Sequence, residues 1–251
     1  MSVHAQVERD HWWFSARRRI LRALAEELVP PRNRPVVLDI GCGVGATLTA
    51  FHPEYACIGY DPSPDAIEFG TETHPGIDLR LGMAADAGPD IARADVVLLN
   101  DVIEHVPDDR ALLTEVTTHM KPGAWLIITV PADMKLWSPH DVALQHYRRY
   151  DPAMLRKAVA GLPLREKAVT HFNARLYPIV RAVRMVAKAL GQSAGQGGTD
   201  LRPTPKPANS VLRGMFAGEI PRLLDALRGK RAGYRKGVSL LGVYQRTGGS
   251  A

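Results

Sequence analysis

The feature that most constrains this chain is a short apolar strand that runs into a turn of three glycines. The run Val36–Ile40 is apolar at four of five positions, and Gly41, Gly43 and Gly45 follow it. Glycine lets a backbone turn sharply and approach a ligand closely, and a helix after such a turn points its first amides at that ligand. We therefore expect a small-molecule site at the turn and a helix over residues 45–51.

Strand and helix patterns alternate through the next hundred residues. Apolar runs at 55–60, 77–81, 95–100 and 125–130 predict strands, and helical patterns lie at 64–73 and 109–120. Parallel strands joined by helices form a doubly wound sheet with right-handed crossovers. A helix at 152–160 and a strand at 164–171 extend the pattern, and a last, antiparallel strand would close the edge of the sheet. The predicted fold is thus α/β, with a doubly wound, mostly parallel, seven-stranded sheet.

Length and composition fit one domain of 251 residues. We divide it into a leading helix within residues 1–30, a core at 31–172, a basic helical insertion at 173–237 and a final strand at 238–246. A glycine- and proline-rich stretch at 191–207 predicts a mobile linker inside the insertion. Two cysteines and charged residues in the first fourteen positions argue against disulfides and a signal peptide. We expect a cytoplasmic protein.

The sequence Val37-Leu38-Asp39-Ile40-Gly41-Cys42-Gly43-Val44-Gly45 resembles the signature loop of class I S-adenosylmethionine-dependent methyltransferases, over about residues 11–172. The third glycine comes one residue earlier than in the dinucleotide-binding pattern Gly-x-Gly-x-x-Gly. The resemblance implies the Rossmann-like methyltransferase fold, S-adenosyl-L-methionine as methyl donor, S-adenosyl-L-homocysteine as product and no metal. Asp39 would orient the loop or the methionine ammonium group, and Gly41, Cys42 and Gly43 would pack against the methionine.

An acid at the end of the second strand suits the ribose of such a cofactor. Asp61 follows Asp39 by 22 residues, which matches the family's spacing, and a carboxylate can accept hydrogen bonds from both ribose hydroxyls. The resemblance further implies that Pro62 lines the adenine edge, and that the adenine contacts come from Met83, Ala85 and Asp86. A plain surface turn is the alternative for Asp86.

The segment after the fourth strand, Asn100-Asp101-Val102-Ile103-Glu104-His105-Val106, resembles the Glu-His-Val segment of quinone-biosynthesis and related small-molecule methyltransferases. Asn100 lies where ligands bind in open α/β sheets, and Asn100 and Asp101 are predicted cofactor contacts. His105 can act as a general base or cap the loop.

The leading helix carries aromatic and basic residues. In related enzymes such a helix covers the cofactor, and an arginine there pairs with the methionine carboxylate in a geometry that lysine cannot reproduce. Trp13 and Arg18 are the predicted contacts, with Arg17 as the alternative arginine. An amphipathic helix with a solvated basic face explains the same pattern.

Acceptor selection is expected from the irregular stretch at 131–151. His140 and His146, followed by His105, are the candidate bases for an acceptor hydroxyl. Side chains suited to an anionic or phosphorylated acceptor are Trp137, Tyr147, Arg148, Arg149 and Tyr150. A salt-bridged loop is the alternative. The family resemblance favours O-methylation of a small molecule in secondary metabolism, with C-methylation or a lipid-linked or phosphorylated acceptor as alternatives. A nicotinamide-dependent oxidoreductase is the least favoured enzyme.

Positive charge is concentrated in the insertion, where thirteen lysines and arginines face three acids. No nucleic-acid motif accompanies this charge, so no nucleic-acid partner is expected. The helical pattern at 176–190 has one apolar and one basic face, which predicts a lid, a dimer element or a contact with an anionic membrane surface.

Overall fold

The computed structural model describes residues 11–189 and 204–248, with only the backbone of residues 187–189. Within these ranges all seven predicted strands are present. In chain order the elements are α1 (Trp12–Leu28), β1 (Val36–Ile40), β2 (Ala56–Asp61), α2 (Pro64–Thr73), β3 (Asp78–Leu81), α3 (Gly88–Arg93), β4 (Val96–Asn100), α4 (Asp109–His119), β5 (Trp125–Pro131), α5 (Pro139–Ala143), α6 (Pro152–Val159), β6 (Leu164–Phe172), α7 (Tyr177–Ala189), α8 (Lys206–Ala217), α9 (Ile220–Leu227) and β7 (Ser239–Arg246).

The seven strands form one sheet in the order β3-β2-β1-β4-β5-β7-β6. The first five strands are parallel, and β7 runs antiparallel to both β5 and β6. The predicted fold class is therefore confirmed, but the expectation that the last strand closes the edge was wrong. β7 lies inside the sheet and is buried over residues 239–244, whereas β6 forms the edge and is half exposed. The apolar run of β7 is the pattern of an interior strand.

Helices cover both faces of the sheet, so the sheet separates two hydrophobic cores. On one face α4 and α6 pack on the strands around Leu38, Val97 and Ile128. On the other face α1, α8 and α9 pack around Val37, Leu98 and Ile127. The neighbouring residues of each strand point to opposite faces, so the continuous apolar runs in the sequence reflect burial on both sides. The leading helix is thus part of the core, not an appendage.

The helix expected over residues 45–51 was a wrong prediction. Only a single 3-10 turn forms there, at Leu48–Ala50. Gly45 has a φ of +76°, which is incompatible with a right-handed helix, and the next residues close i→i+3 hydrogen bonds instead. The result is a wide, irregular loop above β1.

Two helices of the insertion, α8 and α9, have no counterpart in the sequence prediction. The predicted linker at 191–207 overlaps the start of α8, because Lys206 begins that helix and Pro207 occupies its first turn, where proline is tolerated. Residues 191–203 of the linker lie outside the described residues. Among the described helices, none combines the length and the apolar character needed to cross a bilayer.

Candidate functional site

The glycine turn after β1 is shaped by its neighbours at the ends of β2 and β4. Gly41 and Gly43 have φ values of +74° and +55°, which other residues adopt only with strain. A Cβ on Gly41 would lie 2.7 Å from the Val102 side chain, while one on Gly43 would meet nothing within 4 Å. The amides of Gly41 and Cys42 both donate to the Tyr60 carbonyl. The turn is therefore packed against the protein at Gly41 and open to a ligand at Gly43.

A buried carboxylate lies directly below this turn. Asp39 is 1% exposed, and its Oδ1 accepts a hydrogen bond from Asn100 Nδ2 at 3.1 Å. Burial raises the pKa of Asp39 to about 7, although the Arg17 guanidinium and the Asn100 hydrogen bond act in the opposite direction. Such a carboxylate favours a cationic ligand group, because a positive charge beside it would offset the loss of solvation. Asp39 and Asn100, which the sequence predicts as separate cofactor contacts, pair with each other at neighbouring strand ends.

The predicted ribose and adenine residues lie on the other side of the turn. Asp61 accepts hydrogen bonds from the amides of Gly43 at 2.8 Å and Ser63 at 2.9 Å, which fixes its carboxylate beside the glycines. Asp86 accepts a hydrogen bond from the Met83 amide and shapes the loop after β3. That surface is open rather than enclosed, with Pro62, Met83, Ala85 and Asp86 all exposed.

Helix α1 closes the site from above. The Arg17 guanidinium is buried, forms an ion pair with Asp101 and lies 4.4 Å from the centre of the Trp13 ring. Arg17 thus holds the leading helix to the end of β4. Arg18 and Trp13 line the cavity beneath the helix. Of the two arginines that the sequence singled out, Arg17 is committed to Asp101, and the role of Arg18 toward a ligand carboxylate stays a prediction.

A cavity of about 650 Å³ lies between the glycine turn, α1, α5 and α7. One wall carries Asp39, Gly41, Cys42, Gly43 and Asn100. The wall toward α5 and the segment after β4 is polar and carries Asp101, Glu104, His105, His140, His146 and Arg149. The wall from α7 is mainly apolar and carries Ile179, Val180, Val183 and Arg184. The cavity therefore joins the predicted cofactor site to all three predicted histidine bases.

Glu104 stands out in the polar wall. Its side chain is fully buried, and neither carboxylate oxygen has a hydrogen-bond partner in the protein. Burial, followed by the charge of Asp101, raises the pKa of Glu104 well above its usual range. One ligand atom each from Glu104, His105 and His146 lie within 4.8 Å of one another. The two imidazole rings meet edge to face, with their centroids 4.6 Å apart.

Asp141 organises this wall from behind, and the sequence prediction did not include it. The residue is fully buried, and its carboxylate pairs with His146 Nδ1 at 3.0 Å and with two nitrogens of Arg149 at 2.8 and 3.0 Å. Burial alone would raise the pKa of Asp141, but the hydrogen bonds from His146 and Arg149 outweigh it and hold that pKa well below its usual range. With Nδ1 bonded to Asp141, His146 presents Nε2 toward the cavity side.

Most of the predicted acceptor residues do not line the cavity. Arg149 does, but Arg148 turns away to the carbonyls of Val106 and Pro107, and the Tyr150 hydroxyl is buried against Asp109 at 2.6 Å. The remaining two, Trp137 and the exposed Tyr147, also lie outside the lining. For Arg148 and Tyr150 the salt-bridged loop, which the sequence left open, describes the structure.

Asp141, which lies behind the polar wall, and the apolar cavity wall from α7 escaped the sequence prediction. Asp141 had a readable local signal, since Ser138-Pro139-His140-Asp141 has the spacing of a helix N-terminal capping box, and Asp141 accepts from the Ser138 amide. Its pairing with Arg149 and His146 depends on the loop's path and has no such signal. The apolar positions of α7 were readable as a helix face but not as a cavity wall.

The comparisons with known proteins agree with this geometry. The family model described as "Methyltransferase domain" matches residues 12–164. An uncharacterized methyltransferase of Mycobacterium tuberculosis (strain ATCC 25618 / H37Rv) is 33% identical over 129 residues, 49% of this chain and 50% of the relative. A ubiquinone biosynthesis O-methyltransferase of Rhodopseudomonas palustris (strain TIE-1) is 34% identical over 122 residues, or 46% and 48%. A trans-aconitate 2-methyltransferase of Azoarcus sp. (strain BH72) is 32% identical over 108 residues, or 41% and 42%. The chain spans about half the length of the curated relatives it matches.

Solved structures share the fold at low sequence identity. A geranyl diphosphate methyltransferase in complex with SAM has a TM-score of 0.59 and 16% identity, covering 93% of this chain and 85% of that one. The geranyl diphosphate C-methyltransferase of Streptomyces coelicolor A3(2), in complex with Mg²⁺, geranyl diphosphate and S-adenosyl-L-homocysteine, has a TM-score of 0.56 and 15% identity, covering 90% and 80%. The family match, the strand order and the glycine turn lead to one conclusion: this chain belongs to the methyltransferase domain family and has the fold of class I, S-adenosylmethionine-dependent methyltransferases.

Proposed function

We propose that this protein transfers a methyl group from S-adenosyl-L-methionine to an oxygen atom of a small, anionic acceptor. The observation that carries the proposal is the junction between the glycine turn and the histidine-lined wall. Asp39 and Gly43 belong to a family signature for the methyl donor, and His105, His140 and His146 line the same cavity. Donor and acceptor groups would therefore meet without any large rearrangement.

The methionine end of the cofactor would occupy the cavity below α1. Asp39 would attract the ammonium group, and Arg18 would pair with the carboxylate. Asp61, already fixed by the Gly43 and Ser63 amides, has lone pairs left for the ribose hydroxyls. The adenine would lie over the exposed apolar surface near Met83, which is 62% exposed, with Pro62, Ala85 and Asp86 around it.

The acceptor would fill the part of the cavity between α5 and α7. Arg149 and Arg184 lie against one and the same carboxylate, that of Asp141, at 2.8 and 3.9 Å, so two guanidinium groups share one anion there. The remaining positive charge suits an acidic or phosphorylated group. Ile179, Val180 and Val183 on the opposite wall suit an apolar portion of the same molecule. This division favours an acceptor with one anionic end and one apolar end.

Methyl transfer is a displacement at the sulfonium carbon. A lone pair of the acceptor oxygen forms the new C–O bond while the C–S bond breaks and its electron pair stays on sulfur, giving S-adenosyl-L-homocysteine. Positioning and exclusion of water supply most of the catalysis. A hydroxyl acceptor must also lose its proton, and one of the three histidines of the polar wall would accept it. A carbon acceptor, as in the geranyl diphosphate enzymes, is the alternative and would not need the histidines for a hydroxyl proton.

Transfer of tritium from methyl-labelled S-adenosyl-L-methionine to a panel of small acids, phosphates and phenols tests the proposal. We expect labelled products from acceptors that carry an anionic group. A hydroxyl acceptor would give an alkali-stable methyl ether, and a carboxylate acceptor would give an alkali-labile methyl ester. Label incorporated only at carbon would overturn O-methylation, and label found only in protein or nucleic acid would overturn the small-molecule acceptor.

One structural feature favours a lipid-linked acceptor or a membrane contact as a second reading. Helix α7 leaves Ile179, Val183, Met185 and Val186 each about 60% exposed, and the first two continue into the cavity wall. An apolar chain could follow this face from the cavity to an anionic membrane surface. Peripheral membrane contact through α7 therefore stays a prediction.

A further inference from the structure

We infer that Glu104, His105 and His146 form a binding site for one divalent transition-metal ion in the polar wall of the cavity. The three side chains offer one carboxylate oxygen and two imidazole nitrogens that lie within 4.8 Å of one another. Two histidines and one carboxylate are a donor set used for Zn²⁺ and Fe²⁺, whereas Mg²⁺ and Ca²⁺ prefer oxygen alone. The family resemblance implies no metal, and nothing in the sequence places residue 146 beside residues 104 and 105.

The unpartnered state of Glu104 is the independent observation that points to a ligand. A buried carboxylate without hydrogen bonds is strongly disfavoured unless a proton or a cation compensates it. Both Glu104 oxygens lack a partner in the protein, and the residue lines the cavity. The nearby arginines do not compensate it, because Arg17 donates to Asp101 and Arg149 donates to Asp141.

The histidines are held in the way that metal-binding histidines usually are. His146 Nδ1 is bonded to the buried Asp141 carboxylate, which leaves Nε2 as the donor atom. The His105 ring has a hydrogen bond with the backbone of Leu144. The Tyr147 amide donates to the Glu104 carbonyl at 2.8 Å, which keeps the two segments in register.

The three donor atoms would have to move only slightly toward one another to bind one ion. If the three donor atoms were all separated by the limiting 4.8 Å, a central ion would lie about 2.8 Å from each of them, against about 2.1 Å in zinc sites. Side-chain movements of about 0.7 Å would complete the coordination. Three protein ligands would leave a position open toward the cavity, as in catalytic zinc sites.

The ion's role toward the acceptor rests on the proposed function, whereas its binding does not. An acceptor hydroxyl on the open position would become more acidic, as water does on zinc. His140, on the same cavity, would then accept the proton, and the oxygen lone pair would displace the sulfonium as described above. His105 and His146 would serve as ligands rather than as bases.

The test is titration of the full, chelator-treated chain with CoCl₂, followed by absorption spectroscopy and by competition with ZnCl₂. We expect the wild-type chain to bind one Co²⁺ with the ligand-field band of a nitrogen-oxygen site. Glu104→Gln and His146→Gln should bind Co²⁺ at least about tenfold more weakly. The matched cavity variant His140→Gln should bind it as the wild-type chain does. Absence of Co²⁺ and Zn²⁺ binding, or equal binding in the Glu104 and His146 variants, would overturn the site.

Binding of S-adenosyl-L-homocysteine provides the independent check on folding. Each variant should retain it, because the glycine turn does not contain these residues. If Co²⁺ binds as expected but S-adenosyl-L-homocysteine does not bind the wild-type chain, the metal site stands and the proposed function fails. If S-adenosyl-L-homocysteine binds and Co²⁺ does not, the metal site fails and the proposed function is not affected.

Discussion

The two halves of the cavity are built by different means. The cofactor half uses backbone amides and side chains at neighbouring strand ends, so Asp39, Asn100 and the glycine turn lie together because the sheet brings them together. The acceptor half depends on side chains that meet through loop paths, such as Asp141 with Arg149 and Glu104 with His146. A family motif can therefore specify the first half, while the second is free to vary with the acceptor.

The substitution Gly41→Ala tests the cofactor half of the cavity without changing a residue of the acceptor half. The new Cβ would combine a strained φ with a 2.7 Å contact to Val102, and together these effects would weaken S-adenosyl-L-homocysteine binding by about 300-fold, measured by calorimetry. Gly123→Ala is the matched control, because Gly123 has a φ of +85° but nothing within 4 Å of its Cβ position. Equal loss of binding in both variants would contradict a specific role for the turn.

The converse change is Asp141→Asn in the acceptor half. It leaves the buried Arg149 guanidinium without its anion, and we expect the free energy of unfolding to fall by about 3 kcal/mol in denaturant titrations. Binding of S-adenosyl-L-homocysteine should persist in the folded variant.

The matched control for Asp141 is Glu166→Gln, which breaks the exposed pair with Arg156. That change should lower the free energy of unfolding by less than about 1 kcal/mol. If the two variants are equally stable, Asp141 does not organise the polar wall.

A pH titration sharpens the cofactor half. Because the pKa of Asp39 is about 7, its carboxylate is ionised above that pH and able to pair with an ammonium group. Affinity for S-adenosyl-L-homocysteine should fall as pH drops from 7 toward 5.5, by up to about tenfold per pH unit. The same raised pKa means that Asp39 binds its proton more tightly in the folded state, so its contribution to apoprotein stability falls as pH rises from about 4 to 7.

Asp39→Asn isolates this titration from that of other groups near the ligand. The charges of Arg17, Asp61 and Asp101 act on Asp39 directly. The part of the pH dependence that disappears in Asp39→Asn belongs to this carboxylate. An unchanged pH profile would contradict its proposed role.

The smallest expected effect concerns α7. We expect sedimentation with anionic vesicles to show weak binding that high salt abolishes, and Val186→Asp to reduce it by about three- to tenfold. Val211→Asp on α8 is the control, since Val211 is about equally exposed but lies on a different helix. Absence of salt-sensitive binding would remove the membrane contact.

The same contrast explains what the sequence could predict. The apolar runs of β1, β4 and β5 fixed these strands to within about one residue, and Asp39 and Asp61 followed from motif and spacing. The position of β7 inside the sheet could not be read, because pairing order is a tertiary property. The helices α8 and α9 were missed because their prolines and glycines are equally typical of a linker.

The polar wall was predicted by residue type but not by arrangement. His105, His140 and His146 do line one cavity, yet Arg148 and Tyr150 are used for packing against the segment after β4. Residue chemistry alone does not tell a ligand contact from a structural one, because arginine and tyrosine serve both. Only the path of the loop decides between them.

The most direct test of the central claim is thermal stabilisation of the wild-type chain by S-adenosyl-L-homocysteine compared with NAD. At about one hundred times its dissociation constant, S-adenosyl-L-homocysteine should add about 2.7 kcal/mol of stability and raise the melting temperature by roughly 5–10 °C, while NAD should leave it unchanged. Equal stabilisation by both ligands, or none by S-adenosyl-L-homocysteine, would contradict the assignment of the glycine turn to the methyl donor.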